Sequence, residues 1–214
     1  TRRSSDLNAA VRRVLLGENK VCGLTREQDA QAAYEAGAIY GGLIFVDSSP
    51  RAVSEEQARK VIAAAPLSYV GVFRNADIAE VVEKADALSL SAVQLHGDED
   101  QAYIDALRAT LAPQVQIWKA QRVDDTLPPR NLNHVDKYVL DNGQGGTGQR
   151  FDWSLLNGEK LDNVLLAGGL SPDNCVEAAK TGCAGLDFNS GVESQPGSKD
   201  ASKLASVFKT LRAY

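Results

Sequence analysis

Asn163-Val164-Leu165-Leu166-Ala167-Gly168-Gly169 is an apolar run without alternation that stops on a pair of glycines. Tyr40-Gly41-Gly42-Leu43-Ile44-Phe45-Val46 reads the same way near the start of the chain. A strand with one wet face alternates apolar and polar residues, whereas an unbroken run marks a strand covered on both faces, as in parallel sheets. Working outward from these two, similar short runs occupy 20–25, 69–74, 92–97, 114–119, 137–142 and 185–189. Amphipathic stretches separate them. Eight strand–helix alternations predict an α/β protein, a single (β/α)8 TIM barrel over 20–214 with a short N-terminal helical extension. An open doubly wound sheet also alternates strands and helices, but it usually has fewer strands, and no G-x-G-x-x-G follows the first run.

Helix signals support the alternation. Thr25 precedes Arg26-Glu27-Gln28 in a capping-box pattern, with Ala30, Ala33 and Tyr34 on one face and Gly37 near the end. Ser54 precedes Glu55-Glu56-Gln57 in the same way, ahead of Val61, Ile62, Ala64 and Ala65. Ser171-Pro172 reads as an N-cap followed by Pro at the first helical position. A last helix over 199–212 repeats Leu204, Val207, Phe208 and Leu211. Residues 1–19 stand apart: Ser5 and Asp6, then Leu7, Ala10, Val11, Val14 and Leu15, then Gly17 predict a capped amphipathic helix, a cover for the barrel bottom or the junction from a preceding domain.

The 214 residues carry 23 Lys and Arg against 28 Asp and Glu, a net charge of −5. Without basic blocks, that balance argues against nucleic acid or an anionic membrane as partner. No apolar run approaches the roughly 18 residues of a membrane span, and 1–6 lack the apolar segment of a secretory signal. Cys22, Cys175 and Cys183 are too scattered for a disulfide or zinc framework, so a cytoplasmic protein is expected. Met is absent even at position 1, which suggests a piece of a longer chain or an engineered sequence.

In a (β/α)8 barrel the chemistry sits at the C-terminal ends of the strands. Gly168-Gly169 after the seventh run and Ser190-Gly191 after the eighth leave room for backbone N–H groups to approach a phosphate, or are simply tight turns. Cys22 ends the first run. A free Cys is most often a small buried hydrophobe, and as a base it needs a positive neighbour to favour the thiolate. Asp141 is either an Asx turn ahead of Asn142-Gly143 or a general acid. Arg51, in a loop stiffened by Pro50, has the fork to clamp a carboxylate bidentately. His96 is an acid–base group or a satisfied hydrogen-bonding residue; Lys119 and Arg74 line the mouth or pair with acids. His134 reads as surface loop.

At these positions the chain resembles the phosphoribosylanthranilate isomerase family of tryptophan biosynthesis. The matching segments are Lys20-Val21-Cys22-Gly23-Leu24-Thr25, Ser49-Pro50-Arg51, Val93-Gln94-Leu95-His96-Gly97, Val139-Leu140-Asp141, Gly145-Gly146-Thr147-Gly148, Leu166-Ala167-Gly168-Gly169-Leu170 and Ser190-Gly191-Val192-Glu193, in family order. The resemblance implies an Amadori rearrangement of N-(5-phosphoribosyl)anthranilate to 1-(2-carboxyphenylamino)-1-deoxyribulose 5-phosphate. Asp141 is then the acid, Cys22 the base and Arg51 the contact to the substrate carboxylate. His96 lines the pocket, and Gly168, Gly169, Ser190 and Gly191 hold the phosphate. It implies no metal and no organic cofactor. It also implies fusion to an indole-3-glycerol-phosphate synthase half, of which 1–19 resemble the tail, and a monomer is expected. Two other readings stay open. A Schiff-base aldolase would use Lys119, and a binding-only barrel would hold a sugar phosphate without turnover.

Overall fold

The computed structural model of the chain describes residue 11 and residues 17–142 and 151–213. Most of the helix expected within 1–19, and the glycine run at 145–148, lie outside them. Eight parallel strands close a barrel in chain order. They are β1 (Lys20–Val21), β2 (Tyr40–Ile44), β3 (Ser68–Phe73), β4 (Ala92–Leu95), β5 (Gln116–Val123), β6 (Lys137–Asn142), β7 (Val164–Leu166) and β8 (Gly185–Phe188). β1 pairs with both β2 and β8, so the sheet has no edge. The helices are α1 (Glu27–Ala36), α2 (Glu55–Ala64), α3 (Ile78–Ala87), α4 (Gln101–Thr110), α5 (Cys175–Ala179) and α6 (Ala201–Ala213).

The barrel matches the sequence reading, but the eightfold alternation of helices does not hold. Residues 124–136, after β5, form no helix. Pro128 and Pro129 lie in that stretch, where the missing N–H and the restricted preceding residue oppose one. After β6 the described residues form only a 3-10 turn, Trp153–Leu156. After β8 come a 3-10 turn, Ser190–Val192, and a hairpin of β9 (Glu193–Gln195) and β10 (Ser198–Lys199), before α6. Strand β5 runs on to Val123, so Lys119 is not at a strand end but in the middle of one.

Of the three caps, Ser54 behaves as expected, its hydroxyl accepting from Gln57 N–H at 3.2 Å. Thr25 does not: α1 is capped at Arg26 without a side-chain bond, and the Thr25 hydroxyl donates to Gly197 C=O. Helix α5 starts at Cys175 rather than at Pro172, because Ser171 heads a turn first, its oxygen accepting from Asp173 N–H at 3.3 Å.

The period of two along each strand sorts the side chains. In β6, Tyr138 and Leu140 join the shell packed between barrel and helices, while Val139 joins an inner cluster with Tyr40, Val70, Ala92, Trp118 and Leu165. Tyr40 and Trp118 meet edge to face there, their centroids 4.8 Å apart. They plug the barrel. One layer higher polar side chains enter among the inward positions, and a pocket begins.

Candidate active site

A pocket opens among the C-terminal strand ends, lined in part by Cys22, His96, Asp141, Gly168, Gly169 and Ser190. These come from β1, β4, β6, β7 and β8, so the barrel gathers groups far apart in sequence. Of the residues that the resemblance assigns to the site, Arg51 and Gly191 fall outside this lining, Gly191 directly after Ser190, which is part of it.

Asp141 lies within β6 itself and not in an Asx turn. It aims inward because Val139, two residues earlier, does. Its Oδ1 is buried and has no hydrogen-bond partner among the described residues. Burial, followed by the negative charge of Asp187, pushes its carboxyl up to about 6. A carboxyl in that range gives up a proton readily yet still holds one near neutrality, as a general acid requires. Cys22 is the first residue past β1 and is buried. Burial pushes its thiol up; Lys20 pulls it back and Asp187 pushes with burial.

The two glycine loops have a shared property. Backbone N–H groups of Gly168, Gly169, Ser190 and Gly191 donate to no described residue. Gly168 has φ +88, and a β-carbon on it would come within 2.7 Å of Asp141 Oδ1. A β-carbon on Gly191 would strike Leu170 O at 2.0 Å. Only glycine fits either position. Unfilled amides gathered at two adjacent strand ends have the chemistry to receive an anion.

Arg51 is already engaged. Its Nε and Nη2 donate to the two oxygens of Glu193 at 2.9 and 2.7 Å. Lys199 Nζ reaches the same carboxylate at 2.7 Å and Asn189 Oδ1 at 2.8 Å. Burial opposes the Glu193 charge, but Arg51 and Lys199 hold its carboxyl below the usual range. The fork expected to clamp a substrate carboxylate therefore faces Glu193, and Nη1 is the nitrogen left for a ligand. His96 stands at the open rim. Lost hydration, then the positive charges of Lys20 and Lys119, lower its pKa to about 4, so the ring is neutral. Gln94 Nε2 meets its Nδ1 at 3.3 Å, which keeps the ring proton on Nε2.

Lys119 does not serve the mouth: it is buried against Glu99 at 2.7 Å and Gly97 C=O at 2.7 Å. That removes the Schiff-base candidate. Arg74 is exposed and outside the pocket, and His134 is exposed in a loop as read. Sequence reasoning passed over Lys20, Gln94 and Asp187, which form the pocket floor. Lys20 Nζ donates to Asp187 Oδ2 at 2.6 Å and to Gln94 Oε1 at 3.0 Å. The missed signal was periodic: each lies two residues before a strand-end candidate (Cys22, His96, Asn189), so each must point inward too. Among the described residues, no three His, Cys, Asp or Glu side chains cluster to hold a metal ion.

Fold and pocket together define a (β/α)8 barrel that gathers titratable side chains and two glycine loops at its C-terminal mouth. Residues 19–210 match the family model described as N-(5'phosphoribosyl)anthranilate (PRA) isomerase. The chain belongs to that family. The tryptophan biosynthesis protein TrpCF of Salmonella typhi is 77% identical over 209 residues, covering 98% of this chain and 46% of that protein. Its counterpart from Yersinia pestis is 69% identical, covering 98% and 44%. The chain thus spans about half the length of the curated relatives it matches. The crystal structure of phosphoribosyl anthranilate isomerase from Thermus thermophilus superposes with a TM-score of 0.82 at 31% identity, covering 92% of this chain and 98% of that one. A phosphoribosyl anthranilate isomerase in complex with reduced 1-(o-carboxyphenylamino)-1-deoxyribulose 5-phosphate gives 0.76 at 30%, covering 92% and 100%.

Proposed function

We propose that Asp141 and Cys22 carry out the Amadori rearrangement of N-(5-phosphoribosyl)anthranilate as acid and base. Asp141 protonates the ribose ring oxygen as the C1–O bond breaks, and the substrate nitrogen takes up the positive charge as an iminium. That charge acidifies the neighbouring C2–H. The Cys22 thiolate takes the C2 proton, the C–H electrons become the C1=C2 bond of an enolamine, and tautomerisation gives the ketone. The seat formed by Gly168, Gly169, Ser190 and Gly191 holds the phosphate, Arg51 Nη1 meets the anthranilate carboxylate, and neutral His96 donates from Nε2 to the sugar. The observation that carries this reading is convergence. Cys22, Asp141, Gly168, Gly169 and Ser190 border one pocket.

Burial keeps the thiol up while Asp141 sits at about 6, so the working pair, thiolate plus carboxylic acid, is a minority form at every pH. The iminium offsets this by favouring the thiolate once the ring has opened. The barrel, we propose, works as a monomer. It forms, we propose, one half of a longer cytoplasmic chain whose other half is an indole-3-glycerol-phosphate synthase. The residues ahead of Asn19, where the family match begins, are on this reading the junction to it.

Freshly prepared phosphoribosylanthranilate is fluorescent. Catalytic amounts of the protein should abolish that signal; persistence of the signal with folded protein in excess would overturn the reading.

A further inference from the structure

Lys20 has no part in the acid–base steps above, yet among the largest wholly buried side chains of the described residues it alone carries a charge. Burying an ion pair such as Lys20–Asp187 contributes little to stability compared with apolar residues of the same size. Stability does not account for its presence. Position does suggest a use. Lys20 and Cys22 are two residues apart on the inward face of β1. A β-carbon on Gly42, in neighbouring β2, would lie 2.7 Å from Cys22 Sγ and 3.1 Å from Lys20 Cε. The end of the lysine chain and the sulfur therefore crowd the same bare spot. Asp187 from β8 and Gln94 from β4 each take one ammonium proton, which fixes the nitrogen and leaves a third proton uncommitted.

We propose, resting on the reading of Cys22 as the base, that Lys20 is its positioning residue: held by Asp187 and Gln94, the ammonium supplies the counter-charge against which the sulfur becomes a thiolate. The electrostatics agree with the geometry. After burial, Lys20 has the largest influence on the thiol, and it acts downward. Burial opposes the Lys20 charge, but Asp187 holds its pKa above the ordinary value, so the counter-charge persists through the working range. The other charged groups acting on the sulfur are Asp187 from β8, which opposes thiolate formation, Lys199 from β10, which assists, and Arg51 from the loop after β2. His96 is neutral, and Asp141 shares the pocket.

The test reads the sulfur without substrate, as the pH dependence of Cys22 alkylation by iodoacetamide, followed by peptide mass spectrometry so that Cys175 and Cys183 do not interfere. Lys20→Met should move the midpoint up by at least about one pH unit, tenfold less thiolate at a given pH. It should also lower kcat at least tenfold with KM little changed. Because Lys20→Met strands a buried Asp187 and risks unfolding, Lys20→Met/Asp187→Asn is measured beside it. The same upward move is expected there, smaller because the opposing carboxylate is gone too. An unmoved midpoint in a folded variant would overturn the proposal. A moved midpoint with unchanged turnover would instead overturn Cys22 as the base while leaving the hold of Lys20 on the sulfur intact.

Discussion

Asp141 pays for its proposed role in stability. Its folded value of about 6 lies above its ordinary 3.8. The folded chain therefore keeps a proton that the unfolded chain has released, and stability falls as pH rises from about 4 to 6. Asp141→Asn removes this penalty. In urea melts the variant should be more stable than the parent at pH 7 by up to about 3 kcal/mol, and the difference should vanish below pH 4. His96 runs the other way: lowered from 6.5 to about 4, it loses stability for the fold as pH falls through that window. The parent's two slopes oppose each other, so the comparison is made variant against parent at each pH. In catalysis the same carboxyl should place a limb of the kcat/KM profile near pH 6.

At the level of elements, caps and close approaches make separable demands. Ser54→Ala removes the one hydroxyl that caps α2 and should cost about 1 kcal/mol in urea unfolding, with turnover unaltered because the residue is remote from the pocket. Gly191→Ala should do the reverse. Its new β-carbon cannot sit 2.0 Å from Leu170 O, so the loop bearing the anion seat must shift, and KM for the phosphorylated substrate should rise severalfold. An unchanged KM would count against that seat. These two residues also show what sequence could convey. Ser54 bonds three residues away, within the reach of a local pattern. Thr25 carries the same local pattern, but its hydroxyl is taken by Gly197, 172 positions on, and nothing in the pattern near Thr25 announces that. Of the two readings of Lys119, mouth residue or partner of an acid, the structure bears out the second, and the local pattern could not choose for a similar reason. Its strand continues to Val123, and its partner Glu99 lies 20 positions earlier.

The whole molecule rests on closure. Pairing of β1 with β8 puts Lys20 in register with Asp187, and that one contact joins the start of the barrel to its end beneath the pocket. Unbroken apolar runs made the parallel barrel legible, and strand ends pointed to Cys22, His96 and Asp141. What the runs could not convey was the polar floor, because a lone Lys, Gln or Asp inside an apolar strand reads as noise until the inward face is known. The account's central claim is that Cys22 and Asp141, from strands on different sides of the barrel, act on one sugar. Its most direct test is the turnover of fresh phosphoribosylanthranilate by Cys22→Ser and Asp141→Asn, each shown to be folded. Each should lose at least about 10² in kcat, the scale of general acid–base catalysis. Rates near those of the parent in either variant would contradict it.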